Sequence, residues 1–320
     1  MTRPVPLLLI GLAIALPLSL LAGRVWIDPF GDATRNAAVI LMELRLPRAL
    51  LAIAVGAGLG GAGAAMQGYL RNPLADPGLF GIAPGAALGA VLSMWLGYAV
   101  GPYALPVFAL VGAAGAMALL ALIAGREGGV ALFTLAGLMI ASLSGALMSL
   151  AISLSPTPFA LSEIVTWLMG ALVDRSWRDV WIATPLTLAG LGFLVAAARG
   201  LDALTLGETA ARSLGVDPRR LQTLMIAGIG LTVGAGVAVA GIISFVGLIV
   251  PHLVRPLTDR RPSSLIVPSA LAGALLLLVA DSACRILPLA GGELRLGIAL
   301  SLIGAPFFLH LLLKMRRGLA

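Results

Sequence analysis

The segment GLDALTLGETAARSLGVDPRRLQ, residues 200–222, is a polar island between long apolar runs, and it obeys helix rules. Thr205 is placed to cap a helix to which Glu208 bonds back from three residues on, the box Thr-Leu-Gly-Glu. Leu206, Ala210 and Leu214 then share one face, and Gly215 is placed to end the helix. Asp217-Pro218 starts a second helix, with Asp as the cap and Pro at the first helical position. The segment therefore predicts two short helices joined by a Gly-Val turn and held at one membrane surface. Two uses fit such a pair: an ordinary interhelical loop, or a docking surface for a soluble partner.

The composition around the island sets the class. Of 320 residues, 60% are hydrophobic and 11% charged, and the mean hydropathy is +1.06. Those values lie outside the range of soluble globular domains. With several apolar runs near the length of a membrane crossing, the chain reads as an all-α polytopic membrane protein, one transmembrane domain over residues 1–320. The single cysteine, Cys284, excludes an internal disulfide framework and a multi-cysteine metal site. The 21 basic residues are all arginine except Lys314 and give a net charge of +7. In a membrane chain such charge reports topology rather than nucleic-acid binding.

Ten apolar segments follow in order: 5–22, 49–70, 79–100, 105–124, 130–154, 180–198, 224–240, a shorter 241–255, 265–287 and 296–313. The first is read as a retained helix, since its apolar core exceeds the roughly 7–15 residues of a cleaved leader. Pairs of small residues four apart, Gly56 with Gly60, Ala57 with Gly61 and Gly230 with Gly234, predict close helix approach. Gly81, Gly85 and Gly89 repeat that spacing in the third span. Asp76-Pro77 opens that span in the manner of Asp217-Pro218. The segment 155–179 is expected on the opposite surface, with a short interfacial or re-entrant helix over 161–172 and an aromatic belt of Trp167, Trp177 and Trp181. An even number of spans puts both termini on one side. That side collects 13 of the 21 basic residues, so the termini and the island are assigned to the cytoplasm.

Little in the chain points to catalysis. Lys314 follows three leucines rather than a glycine loop, so the P-loop of an ATPase is absent, and two histidines, His252 and His310, make no HExxH site. Asp281 is the one acid within a span, and Arg285 one turn on predicts a structural ion pair. Gln67 is placed to bond across helices. His252, after Pro251, suits a helix terminus rather than a proton relay.

Longer stretches carry a family resemblance. RLPR at 45–48, VGAGLGGAGAAMQGYLRNPLADPGLFGIAPGA at 55–86, LTLGETAARSLGV at 204–216, GIISFVGLIVPHLVR at 241–255, the AD and Arg of 280–285 and GAPFF at 304–308 stand in the family's order. Together they resemble the permease subunits of ABC importers for iron-siderophores, haem and cobalamin. The resemblance implies ten spans, a homodimer around a central pathway, two cytoplasmic ATPases that carry the ATP and magnesium, and a periplasmic substrate-binding protein. It implies no cofactor and no metal site in this chain, and a place in the bacterial inner membrane. It makes the island the coupling helix pair, with Thr205, Leu206, Gly207, Glu208, Ala211, Arg212, Leu214 and Gly215 at the ATPase. Arg45, Arg48 and Arg285 are the implied docking residues for the binding protein, and Gln67, Asn72, Pro73 and Gly85 fall in the pathway or in helix packing. One departure is Arg295 after Glu293-Leu294, where the family commonly has proline, which leaves open where the last helix begins. The competing expectation is a self-sufficient secondary carrier or channel, which broken helices and intramembrane charge pairs would favour.

Overall fold

The structure, a computed structural model, describes residues 4–23, 35–125, 129–287 and 292–317. Its helices are α1 (Pro4–Leu21), α2 (Arg35–Val39), α3 (Leu46–Tyr69), α4 (Ile82–Trp95), α5 (Ala104–Ala124), α6 (Val130–Ser153) and α7 (Pro158–Leu168). They continue with α8 (Trp177–Leu204), α9 (Glu208–Ser213), α10 (Pro218–Ala240), α11 (Val246–Val254), α12 (Pro262–Ile286) and α13 (Leu296–Arg317). A π-helical turn, Ile40–Arg45, joins α2 to α3. Among the described residues, eight helices are long and apolar enough to cross a membrane: α1, the continuous helix ending at Tyr69, α5, α6, α8, α10, α12 and α13.

The third and eighth expected spans are revised. Residues 79–100 are broken twice. A 3-10 turn, Pro77–Phe80, ends at Gly81 (φ 80°), and α4 is only 14 residues long before the chain turns at Gly97 (φ 76°). Gly81 holds a left-handed backbone in a place where a Cβ would stand 2.6 Å from Ile140 Cγ2, so it belongs to a turn and not to the helix-packing row. Gly85 and Gly89 do pack, with the carbonyl oxygens of Gly112 and Phe108 at 3.0 and 2.0 Å from the position of a Cβ. Residues 241–245 run unwound, from Gly241 (φ 71°) to Phe245 (φ 68°), and the helix that follows has nine residues. Length alone misled here, because an apolar run does not report a break that neighbouring helices impose.

α3 lies at the centre of the bundle, packed by α8, α10, α11 and α12, and is buried around most of its circumference. Its sequence explains this: a helix apolar on every side belongs inside, and its glycines let backbones touch. Cβ atoms added at Gly56, Gly60 and Gly63 would meet the carbonyl oxygens of Gly273, Ser269 and Gly247 at 2.3, 2.1 and 2.0 Å. By contrast α1, α5, α6 and α13 leave most of their apolar surface uncovered.

On the far side, α7 is a single helix of 11 residues. It starts at 158 rather than 161 because Thr157 Oγ1 accepts from the amide of Ala160 at 3.1 Å and Pro158 occupies the first turn. Of the three tryptophans, Trp181 is exposed, whereas Trp177 Nε1 donates to the Met42 carbonyl at 3.0 Å. The last helix begins directly after Arg295, with the Ala299 amide bonded to the Arg295 carbonyl. Arg3, Arg24 and Arg126, used in the charge count, lie outside the described residues.

Candidate functional site

The island folds differently from the expected pair. α8 runs on to Leu204, and Thr205 follows its end, its Oγ1 donating to the Asp202 carbonyl at 2.7 Å. The Thr205–Glu208 capping box is therefore absent. α9 starts instead at Glu208 after Gly207, whose φ of 103° suits only glycine. Its stop is as expected: Gly215 (φ 85°) donates to Arg212 O at 2.9 Å and Val216 N to Ala211 O at 3.0 Å, a Schellman close. Asp217 accepts from Arg219 N at 2.9 Å, but the helix it caps is the 23-residue α10, not a second short helix. The geometry leaves Leu206 and Leu214 uncovered at 69% and 64% exposure, with Arg212 exposed between them and Ala211 buried beneath. Two apolar side chains raised from a short helix closed at its C-terminal end make a small contact surface.

The carboxylate of Glu208 does not return to its own helix. Its Oε1 accepts from Val130 N, the first residue of α6, at 3.1 Å. Asp202, unremarked in the sequence, behaves alike: its Oδ1 accepts from Ser263 N in the first turn of α12 at 2.8 Å.

Around residues 67–76 the side chains serve the backbone. Gln67 is buried, its Oε1 accepting from Arg255 Nη2 at 2.7 Å and its Nε2 facing the Gly247 and Leu248 carbonyls at 3.4 Å. That is the cross-helix bonding its position predicts. Asn72 Oδ1 accepts from Leu74 N at 2.9 Å across half-buried Pro73, which turns the chain toward Asp76. Asp76 accepts from Gly78 N at 2.7 Å. Burial pushes its carboxyl above the ordinary carboxylate range, opposed by the amides of Gly78 and Leu248. Asp76 is one of the residues lining a mostly apolar cavity of about 410 Å³, with Val55, Leu59, Met148, Val237 and Phe245. Gln67, Asn72, Pro73 and Gly85 do not line that cavity. His252, in the last turn of α11, meets the Phe307 ring edge-on at 5.9 Å.

Arg45, Arg48 and Arg285 come together at the opposite end, but two of them are turned inward. Asp281 is fully buried on α12 and takes a fork from Arg48, Nη2 at 2.9 Å and Nε at 3.0 and 3.1 Å. Arg285 Nε stands 3.2 Å from the same carboxylate, and its Nη2 donates to Ser19 Oγ at 2.7 Å. Arg48 Nη1 also pairs with Glu293 at 2.8 Å. The expected ion pair of Asp281 and Arg285 is present, with Arg48, Glu293 and Ser19 added to it. Arg48 and Arg285, which the resemblance implies for binding-protein docking, thus sit in a buried ion cluster in this structure, because a buried carboxylate draws its cations inside. Arg45 Nη1 donates at 2.8 Å to the carbonyls of Leu20 and Leu21, closing the end of α1.

Residues 7–314 match the profile of the FecCD transport family. The vitamin B12 import system permease protein BtuC of Escherichia coli O9:H4 (strain HS) is 39% identical over 307 residues, 95% of this chain and 93% of that protein. The protein of the same description from Salmonella arizonae is 38% identical over 94% of this chain and 91% of its own length. A solved chain described as an inward-facing, metal-chelate type ABC transporter superposes with a TM-score of 0.88 and 33% identity, over 96% of this chain and 97% of that one. Motif order, a helical bundle of matching path and similarity along nearly the whole length agree: the chain belongs to the FecCD transport family.

Proposed function

We propose that the chain is the membrane subunit of an ATP-driven importer that admits cobalamin or another metal chelate to the cytoplasm. Two copies enclose the pathway, two ATPases dock beneath, a binding protein docks outside, and each copy crosses the inner membrane ten times with both termini in the cytoplasm. The count takes the eight long helices plus the shorter α4 and α11. The observation that carries the reading is α9, a six-residue helix stopped hard at its C-terminus with Leu206 and Leu214 exposed at its two ends. A lipid-facing loop would have no use for such a stiff, polar-flanked pair. The apolar cavity with few polar groups suits a bulky cargo that must not bind tightly.

Leu206→Arg with Leu214→Arg should leave the purified permease as stable as the parent, because both side chains are already exposed. Co-purification of the ATPase should fall at least about tenfold, a loss of about 1.4 kcal/mol. Unchanged co-purification would remove the docking role.

A second reading draws on the unwound 241–245 segment and the buried charges around Asp281, features shared by gradient-driven carriers. ATP dependence separates the two. Vesicles carrying the permease, its ATPase and its binding protein should accumulate cobalamin only with ATP, and not when the ATPase's nucleotide site is disabled. Accumulation driven by a proton or sodium gradient alone would favour the carrier.

A further inference from the structure

α6 and α12 both begin without a cap of their own. Gly129, which precedes α6, has no side chain, and Arg261, which precedes α12, makes no side-chain cap bond. The first amides of a helix need acceptors from somewhere. The elbow between α8 and α9 supplies one to each, Asp202 to Ser263 N and Glu208 to Val130 N, across 61 and 78 residues of sequence. Carboxylates there also meet the positive ends of two helix dipoles. Gly129 makes room for this, since a Cβ at that position would stand 3.0–3.5 Å from the Glu208 carboxyl group.

The elbow is stiff. Leu206 N bonds to Ala203 O and Gly207 N to Leu204 O, at 3.1 and 3.0 Å, and Thr205 locks onto Asp202. What it holds leads deep into the bundle. Phe133, one turn into α6, meets Tyr69 of α3 and Phe80 with ring centroids 5.0 and 5.8 Å away. α12 carries on unbroken from Ser263 to Asp281, about 27 Å at the rise of an α-helix, to the ionic cluster with Arg48.

We propose that Asp202 and Glu208 are positioning residues: by capping α12 and α6 from outside, they key the α9 surface to two membrane helices, so that a displacement of α9 carries both helix starts with it. This rests on the ATPase-docking reading of α9. Its distinguishing feature is that a cap supplied locally would stabilise α6 and α12 equally well, yet would leave them disconnected from the elbow.

The test is built on that difference. Glu208→Ala and Asp202→Ala are made alone, and then with Gly129→Ser and Arg261→Ser respectively. Both of these preceding positions have the extended backbone that a serine cap uses. Hydrogen exchange of residues 130–133 and 263–266 is measured on the full permease alone. ATPase retention and the stimulation of ATP turnover by the binding protein are measured on the full complex. Each single variant should speed exchange at its own helix start about fivefold, the worth of one cap. Serine should restore exchange. Stimulation, normalised to the ATPase each variant retains, should stay lost in the serine-rescued variants. Recovery of stimulation along with exchange would reduce the two carboxylates to plain stabilisers, and unchanged exchange in the single variants would remove the contacts themselves. Failure of the unsubstituted permease to hold an ATPase would instead sink the docking reading, and the proposal with it, before any substitution is made.

Discussion

Asp281→Asn is expected to destabilise the chain by about 3–5 kcal/mol, the scale for removing one partner from a buried ion cluster. The carboxylate it neutralises is the shared counter-charge of Arg48 and Arg285, whose side chains are 11% and 5% exposed. Without it, among the described residues, Arg285 keeps the hydroxyl partners Ser19 and Ser282, and Arg48 keeps the charge of Glu293. Thermal unfolding in detergent should show a midpoint lowered by many degrees, and yield should drop with it. Replacing all three charges together, Asp281→Leu with Arg48→Met and Arg285→Met, should recover much of the loss, since no charge is then stranded. A single variant that melts with the parent would show that the cluster holds nothing together. Arg48→Glu would set a third carboxylate against Asp281 and Glu293, so a fall in binding-protein docking in that variant would report a damaged fold.

The second large effect is expected where backbones touch. Gly56→Val should cost about 3 kcal/mol or more, at or beyond the upper end for overpacking, because what it strikes cannot rotate away. Its Cβ would lie 2.3 Å from the Gly273 carbonyl oxygen, and a Cβ on Gly273 would lie 2.2 Å from that of Gly56. The crossing of α3 and α12 is thus closed from both sides. Gly192→Ala, inside α8 with nothing within 4 Å of the added carbon, is the control and should not destabilise, since a helix-interior glycine is itself about 0.5–1 kcal/mol less stable than alanine. Equal melting of the two variants would mean that α3 and α12 have slack the geometry does not show.

What was legible in the sequence is what depends on neighbours along the chain. Of the ten apolar runs marked as spans, eight coincide with helices long and apolar enough to cross a membrane among the described residues, since each helix satisfies its own backbone and needs only an apolar surface. The same holds for the stop at Gly215, the cap at Asp217 and the small-residue faces of α3, all of which follow from residues within one or two turns. Even Asp281 with Arg285 could be read, being one helical turn apart.

What tertiary structure decided is everything that needed a partner distant in sequence. Glu208 had an amide three residues away to choose and an amide at Val130 to choose, and the second is the one its carboxylate takes because α6 starts beside it. Arg48 was equally fit for solvent or for a buried acid, and Asp281 is 233 residues away. Close approach from residues distant in sequence marks the unwound 241–245 segment and the start of α4, where a Cβ at Gly81, Gly170 or Gly241 would meet Ile140, the Ile242 carbonyl and the Trp167 carbonyl. A hydrogen-bond donor or a charge carries no record of its mate in its own sequence position; only the packing of the bundle chooses it.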